Sequence, residues 1–286
     1  MRSFVVLALV WVAFGLIDKA VAANPVTSAD ELVSQHLDSI ASAAVLAGLK
    51  TRVAQGPAHY TILVGGTGFL DGKAVLVSEG KKLQFMMKFA NNEYHGEQFI
   101  FDGEKDSVAY SSARQSRSGF GNFVFVQDAV LREGLLGGVL STAWPLLFGN
   151  LEQRKAKLTF DGLKKIDGQE LYELRYRPNK GSDLEINLYF DPQTLHHVET
   201  IYRYSVTAGL TIRGETATAG LVPNRYRLQE KFSEFKTMDG VTLPTRYALQ
   251  FQQERQDGRT NLYEWDLKGL DVSNNVPVDP RNFEVK

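Results

Sequence analysis

The amino-acid sequence predicts a mainly β protein with a few helices, organised around one large antiparallel sheet. Two features lead there. Many short segments alternate apolar and polar residues, which is the period of a strand buried on one side only. Beside them lie six Asp-Gly pairs: Asp71-Gly72, Asp102-Gly103, Asp161-Gly162, Asp167-Gly168, Asp239-Gly240 and Asp257-Gly258. Asp-Gly supplies the positive φ angles of a tight hairpin turn. A third feature, one long uncharged segment in mid-chain, gives the sheet a helical companion.

The bulk numbers bound the answer. A chain of 286 residues that is 43% hydrophobic and 23% charged has the make-up of a folded globular protein. Its net charge of -1 offers no basic excess for phosphate backbones, so nucleic acid is not an expected partner. Cysteine is absent, so the core rather than disulfides must hold the fold, and no lipid-modified cysteine exists. Arg2, the uncharged run from Phe4 to Ile17 and the small-x-small site Ala20-Val21-Ala22 read as a secretory signal peptide over residues 1–22. The expectation is a soluble periplasmic or secreted protein with one continuous domain over 23–286.

Taken in order, Val26 to Arg52 reads as helical. Ser28 caps it, Glu31 completes a capping box, and a break falls near Ala41-Ser42. Strands are expected at Tyr60–Val64, Leu83–Phe89, Phe99–Phe101 and Val108–Ser112. Arg114 to Asn122 reads as a flexible loop, and Phe123 to Phe148 as a helical insertion that extends to about residue 150. From Gly134 to Asn150 this insertion carries no charge and is apolar on most sides, which suits either a packed core helix or a mobile plug over an apolar cavity. Further strands are expected at Leu158–Phe160, Tyr172–Tyr176, Leu184–Phe190, Val198–Val206, Arg225–Phe235, Arg246–Gln252 and Leu262–Leu267. That makes about ten or eleven strands in all. Along the clearest of them Ile186 should be buried, with Glu185 and Asn187 exposed. Gly214 to Asn224 is polar and weakly patterned.

Chemistry is harder to find. Glu93, His95 and Glu97 alternate, and so do His197 and Glu199. These are metal-ligand types, but each group reads better as a solvated strand end or sheet face, and no metal or cofactor is expected. His36 reads as a residue at the boundary of a helix's apolar face. No Gly-x-Ser-x-Gly elbow occurs, and Gly66-x-Gly68 lacks the rest of a dinucleotide fingerprint. No catalytic residue is assigned, and the chain is not expected to be an enzyme. A secreted hydrolase with paired carboxylates stays as a minor alternative. What remains is a surplus of apolar sheet face.

Four stretches then resemble the LolA/LolB-like superfamily of periplasmic lipoprotein carriers, which also includes sensor domains of envelope-stress regulators. Ser28-Ala29-Asp30-Glu31-Leu32-Val33 through Leu49-Lys50-Thr51 and Gly56 resembles its opening helix and first strand. Phe101-Asp102-Gly103 through Tyr110 resembles its Asp-Gly hairpin. Pro145-Leu146-Leu147 falls in its helical insertion, and Leu188-Tyr189-Phe190-Asp191-Pro192-Gln193-Thr194 resembles its strand-turn-strand. The resemblance implies a half-open antiparallel β-barrel whose helices close an apolar concavity, with a lipid or an acylated lipoprotein as ligand. Leu83, Phe85, Met87, Phe89, Leu184, Ile186, Leu188, Phe190, Tyr247, Leu249 and Phe251 would line the cavity, and Trp144 and Leu147 would plug it. The alternative is an envelope sensor or interaction module that binds a protein partner on the same sheet. No position here matches a polar gating residue of that superfamily.

Overall fold

The computed structural model describes residues 26–109, 116–149, 156–178, 183–206, 210–212, 215–217 and 223–285. The expected signal peptide and its cleavage site lie outside them, as do Tyr110 to Ser112.

Two short helices open the described chain, α1 (Ala29–Ile40) and α2 (Ala43–Gly48). Five strands follow: β1 (Thr51–Val64), β2 (Phe69–Glu79), β3 (Lys82–Phe89), β4 (Gly96–Phe101) and β5 (Asp106–Val108). The helical insert holds α3 (Gly119–Val126), α4 (Ala129–Arg132), a 3-10 turn at Gly138–Leu140, and α5 (Ala143–Gly149). Next come β6 (Lys157–Ile166), β7 (Gln169–Arg177), β8 (Glu185–Phe190), β9 (His197–Val206), and the small hairpin of β10 (Leu210–Ile212) and β11 (Glu215–Ala217). The chain ends with β12 (Asn224–Met238), β13 (Val241–Glu254), β14 (Thr260–Leu267) and β15 (Asp271–Asn274).

Thirteen strands form a single antiparallel sheet in the order β5-β4-β3-β2-β1-β14-β13-β12-β9-β8-β7-β6, with β15 on the first half of β1. One pairing turns two meanders into one sheet. Tyr60 of β1 faces Trp265 of β14, which sets the first strand beside nearly the last. The two free edges, β5 and β6, are neighbours in sequence, and the chain between them is the helical insert. The sheet therefore curls without closing, and the insert lies in its concave side. This is the half-open barrel with helices expected from the sequence.

Local chemistry explains the boundaries. Ser28 Oγ accepts from Glu31 N–H at 3.2 Å, and the Glu31 carboxylate turns back to Thr27 N–H at 2.9 Å, so the cap forms one residue wider than the usual box. Helix ends at Gly48, and Thr51 and Arg52, expected as helix, already belong to β1. Four Asp-Gly pairs make hairpin turns. Asp167-Gly168 and Asp239-Gly240 hold both residues at positive φ. Asp102 Oδ1 accepts from Glu104 N–H (2.8 Å) and Lys105 N–H (2.7 Å), and Gly258 closes the β13–β14 turn at φ +78°. The other two lie within strands. Asp161-Gly162 forms a bulge in β6, and Asp71-Gly72 sits in mid-β2, a strand the turn signal concealed. A side chain at Gly72 would collide with Phe89 at 2.6 Å.

The insert differs from the expected continuous helix over 123–148. Gly134, Gly137 and Gly138 all take positive φ and break it into short pieces. Gly119 to Asn122, expected as loop, form the first turn of α3, capped by Ser118 Oγ on Gly121 N–H at 2.8 Å. The glycine pair 137–138 serves close approach. A Cβ on Gly137 would meet Leu76 at 2.6 Å, and one on Gly138 would meet Phe232 at 2.7 Å.

Two expected faces are corrected. A bulge in β9 pairs Tyr189 with Glu199 but Phe190 with His197. His197 therefore turns into the core while Glu199 points to the outer face, so the two do not share a face; nor is Glu199 solvated as expected, since it is buried there and accepts from Gln229 Nε2. Asn187, expected to be exposed, is buried. The outer face there carries its own small cluster of Leu171, Tyr189 and Ile201, packed with Ile166 and Val198. Ile186 is buried and Glu185 exposed, as the alternation predicts.

Candidate functional site

The candidate site is the concave side of the half-barrel. Leu83, Phe85, Met87 and Phe89 project into it from β3, and Leu184, Ile186, Leu188 and Phe190 from β8 and the residue before it. Tyr247, Leu249 and Phe251 come from β13, and Trp144 and Leu147 from α5. All thirteen are buried in one continuous core. The insert fills the concavity: Phe120 of α3 packs on Phe99, Phe251 and Trp265, and Phe123 packs on Phe251.

Within this apolar interior lie charged and polar groups that fasten the insert. Glu230 of β12 accepts from Gly137 N–H at 2.8 Å, from Tyr202 Oη at 2.6 Å and from Tyr247 Oη through a short bond. Burial pushes its carboxyl up to about 7. Arg52 of β1 donates Nη1–H to the Val139 carbonyl at 2.6 Å and Nε–H to Asn274 Oδ1 at 2.7 Å, and burial lowers its guanidinium to about 10. Thr142 N–H donates to Ser78 Oγ, and Thr142 Oγ1 donates to the Gly80 carbonyl, each at 3.0 Å.

The fourth fastening involves α1. Trp144 Nε1–H donates to His36 Nε2 at 2.9 Å, and His36 Nδ1 lies 2.7 Å from the Leu195 carbonyl. A carbonyl only accepts, so Nδ1 carries the proton and the ring is the neutral tautomer. Burial drives its pKa down to about 3. His36 is thus an interior latch rather than a boundary residue. His197, lowered well below the usual histidine value by the same burial, stacks on the Trp144 ring with centroids 4.4 Å apart.

At the other end of the insert lies Glu97 of β4. Its Oε1 accepts from Tyr94 Oη at 2.9 Å, and Tyr94 Oη accepts from Trp265 Nε1–H at 2.8 Å. Glu97 is 2% exposed, so it is not part of a solvated strand end, while Glu93 and His95 precede the strand and face solvent. Burial raises its carboxyl to about 7.

Sequence reasoning missed Arg52, Glu97 and Glu230, although a signal existed. Each occupies the apolar phase of an alternating strand: Glu97 with Phe99 and Phe101, Glu230 with Leu228 and Phe232, Arg52 with Ala54. A charge in core phase is either paired or functional.

The outer face of the sheet is different in kind. A cleft of about 770 Å³ there is lined by Asp167, His196, Glu199, Lys231 and Arg246 among others. Among the described residues, no group of three or more His, Asp or Glu is placed to hold a metal ion, and no helix is long and apolar enough to cross a membrane.

No family model and no curated protein matches the sequence. Among solved structures, the chain is similar to a DUF1329 family protein from Desulfovibrio piger, with 15% identity over 88% of this chain and 95% of that one, and a TM-score of 0.47. It is also similar to a putative outer membrane lipoprotein-sorting protein domain from Vibrio parahaemolyticus, with 12% identity over 89% and 95%, and a TM-score of 0.45. A LolA superfamily protein from Nitrosomonas europaea matches with 9% identity over 91% and 99%, and a TM-score of 0.40.

Proposed function

We propose that this protein is a soluble periplasmic carrier, without bond-making chemistry, that binds a lipid or lipidated protein in the interior of the half-barrel when the helical insert gives way. One observation carries the reading. The concave face is apolar across an unclosed sheet, and what covers it is a separate stretch of chain strung between the two free edges. Such a cover can leave without unpairing a strand. An acyl chain entering in its place would gain about 0.8 kcal/mol per methylene from burial alone. Leu83, Phe85, Met87, Phe89, Leu184, Ile186, Leu188, Phe190, Tyr247, Leu249 and Phe251 would line the vacated space, with Trp144 and Leu147 as the plug. Native mass spectrometry of protein freshly purified from the envelope tests this. A carrier should show adducts with the mass of acyl lipids, lost on delipidation and regained on incubation with a lipopeptide. Protein that stays adduct-free under all these conditions would overturn the reading.

A second reading, an envelope interaction module, is favoured by the polar outer cleft beside Lys231 and Arg246. It predicts a protein complex that persists while the interior stays filled by the insert.

A further inference from the structure

The buried carboxyl of Glu97 stands where nothing in the closed fold requires a charge. Oε1 is occupied by Tyr94, but Oε2 has no hydrogen-bond partner. The Ser118 hydroxyl accepts from Gly121 N–H as the helix cap and, with its own hydrogen still free to donate, eases the burial of the carboxyl; that help leaves when α3 leaves. The free oxygen faces the first turn of α3: a Cβ built on Gly121 would lie 3.1 Å from it. A side chain there would make the carboxyl give by a few tenths of an ångström.

A chain of rings runs from the carboxyl through Tyr94. Tyr94, its hydrogen-bond partner, lies 4.7 Å from Tyr60 and 5.6 Å from Phe89, centroid to centroid. Tyr60 in turn lies 5.4 Å from Trp265, and Trp265 lies 5.0 Å from Phe120. Of these rings only Phe120 belongs to the insert. With α3 withdrawn, Tyr60, Phe89, Tyr94 and Trp265 would remain on the barrel wall around an uncompensated carboxyl. Aromatic faces attract cations through their quadrupoles, and aromatic cages recognise quaternary ammonium groups. A carboxylate added to such a cage supplies the counter-charge.

We propose that Glu97 and the rings of Tyr60, Phe89, Tyr94 and Trp265 form a headgroup subsite for a cationic amphiphile, one that places an ammonium group at Glu97 and its alkyl chain along the barrel interior. This rests on the reading that the interior accepts an acyl or alkyl chain. It goes further by excluding a free fatty acid as the preferred ligand, because a second carboxylate beside Glu97 is repelled. The closed state meets the same carboxyl in another way: with α3 in place it stays dry and holds its proton up to about neutral pH.

The test compares dodecyltrimethylammonium with dodecanoate, equal in chain length and opposite in charge, by isothermal titration calorimetry below their micellar concentrations. The wild-type protein should bind the ammonium amphiphile about tenfold or more tightly. Glu97→Gln should bring the two affinities together, while Glu104→Gln on the exposed β4–β5 turn should leave the preference intact. Equal wild-type affinities, or a preference that survives Glu97→Gln, would overturn the subsite and leave the carrier reading standing. Binding of neither amphiphile would overturn both. If Glu97→Gln fails to fold, Phe89→Leu, which removes one ring of the cage and keeps the carboxyl, takes its place: a preference undiminished in that variant would overturn the subsite.

Discussion

Residues 137–144 of the insert are tied to four separate parts of the barrel: to Glu230 on β12, Arg52 on β1, the β2–β3 corner at Ser78 and Gly80, and His36 on α1. Residues 119–126 meet the barrel through Phe120, Phe123 and Val124, and α3 ends with Phe125 and Val126 turned to solvent. The two halves of one cover are thus held by different physics. A ring packed in an apolar groove can be replaced by an alkyl chain with little loss, because neither partner leaves a polar atom behind. Withdrawing the 3-10 turn would take Gly137 N–H from Glu230 and the Val139 carbonyl from Arg52, leaving both groups short of a partner in a dry interior, and each such loss costs about 1–3 kcal/mol. The comparison assigns the fixed end of the cover to α5 and the yielding end to α3.

The largest test of this contrast is Glu230→Ala. Gly137 N–H, Tyr202 Oη and Tyr247 Oη would lose one shared acceptor, and a cavity would open beneath the turn. A loss of about 3–5 kcal/mol in urea unfolding is expected, with some of the orphaned donors recovered by water. A loss under about 1 kcal/mol would show that the turn is held by packing alone and would erase the difference between the two halves.

Protonation acts on both halves, with opposite signs for the two residue types. Glu97 and Glu230 have folded pKa values of about 7, above their ordinary 4.5. The native state holds their protons more tightly, so the stability they contribute is complete below 4.5 and is lost as pH rises through 7. His36, at about 3 against 6.5, contributes stability that is complete above 6.5 and is lost as pH falls toward 3. His197 adds to the same limb, and His196, half-buried and also lowered, faces His36. Thermal melts across pH should therefore fall off on both sides of a mildly acidic optimum. Glu230→Gln should flatten the upper limb and leave the lower one. A profile rising steadily from pH 5 to pH 8 would contradict the burial of both carboxyls.

The strand alternation around Leu83–Phe89, Leu184–Phe190 and Arg246–Gln252 placed the core facing side chains correctly, because period two admits only one buried face. β2 was not legible: Ala74-Val75-Leu76-Val77 has no alternation, and Asp71-Gly72 imitated a turn. Bulges escape in the same way, since one extra residue at Val198 leaves no mark in the sequence but turns His197 inward. The apolar inner face of the sheet is therefore readable from sequence, and the polar groups that fasten the insert to it are not. Arg52, Glu97 and Glu230 carry a local signal, a charge in apolar phase, but their partners come from distant segments. Arg52 meets Val139, and His36 meets Trp144, across 87 and 108 residues of chain. Only the closure of β1 on β14 brings such segments together.

Hydrogen exchange gives a finer reading of the contrast. Local opening of α3 breaks contacts between rings and bares one carboxyl, Glu97, whereas opening at Gly137 or Thr142 breaks several hydrogen bonds to buried groups. Amides within Asn122–Val126 should therefore exchange about 30-fold or more faster than those of Gly137 and Thr142, a gap of about 2 kcal/mol in opening free energy. Equal protection across the insert would mean that it opens as one body.

The smallest expected effects lie at the solvent-facing residues. Val126 on α3 and Leu146 on α5 are both large apolar side chains exposed on the cover, at 55% and 42%. Val126→Ser and Leu146→Ser should each change stability by no more than about 0.5 kcal/mol, since both side chains are exposed. Their effect on ligand uptake should differ. If an alkyl chain enters beneath α3, Val126 is among the first apolar surfaces it meets, and its loss should slow uptake of dodecyltrimethylammonium in stopped-flow measurements of tryptophan emission. Leu146 rides on the tethered half and should leave the rate unchanged. The reverse pattern would move the entrance to α5, and it would require the hydrogen bonds at Glu230, Arg52 and His36 to break before any ligand is bound.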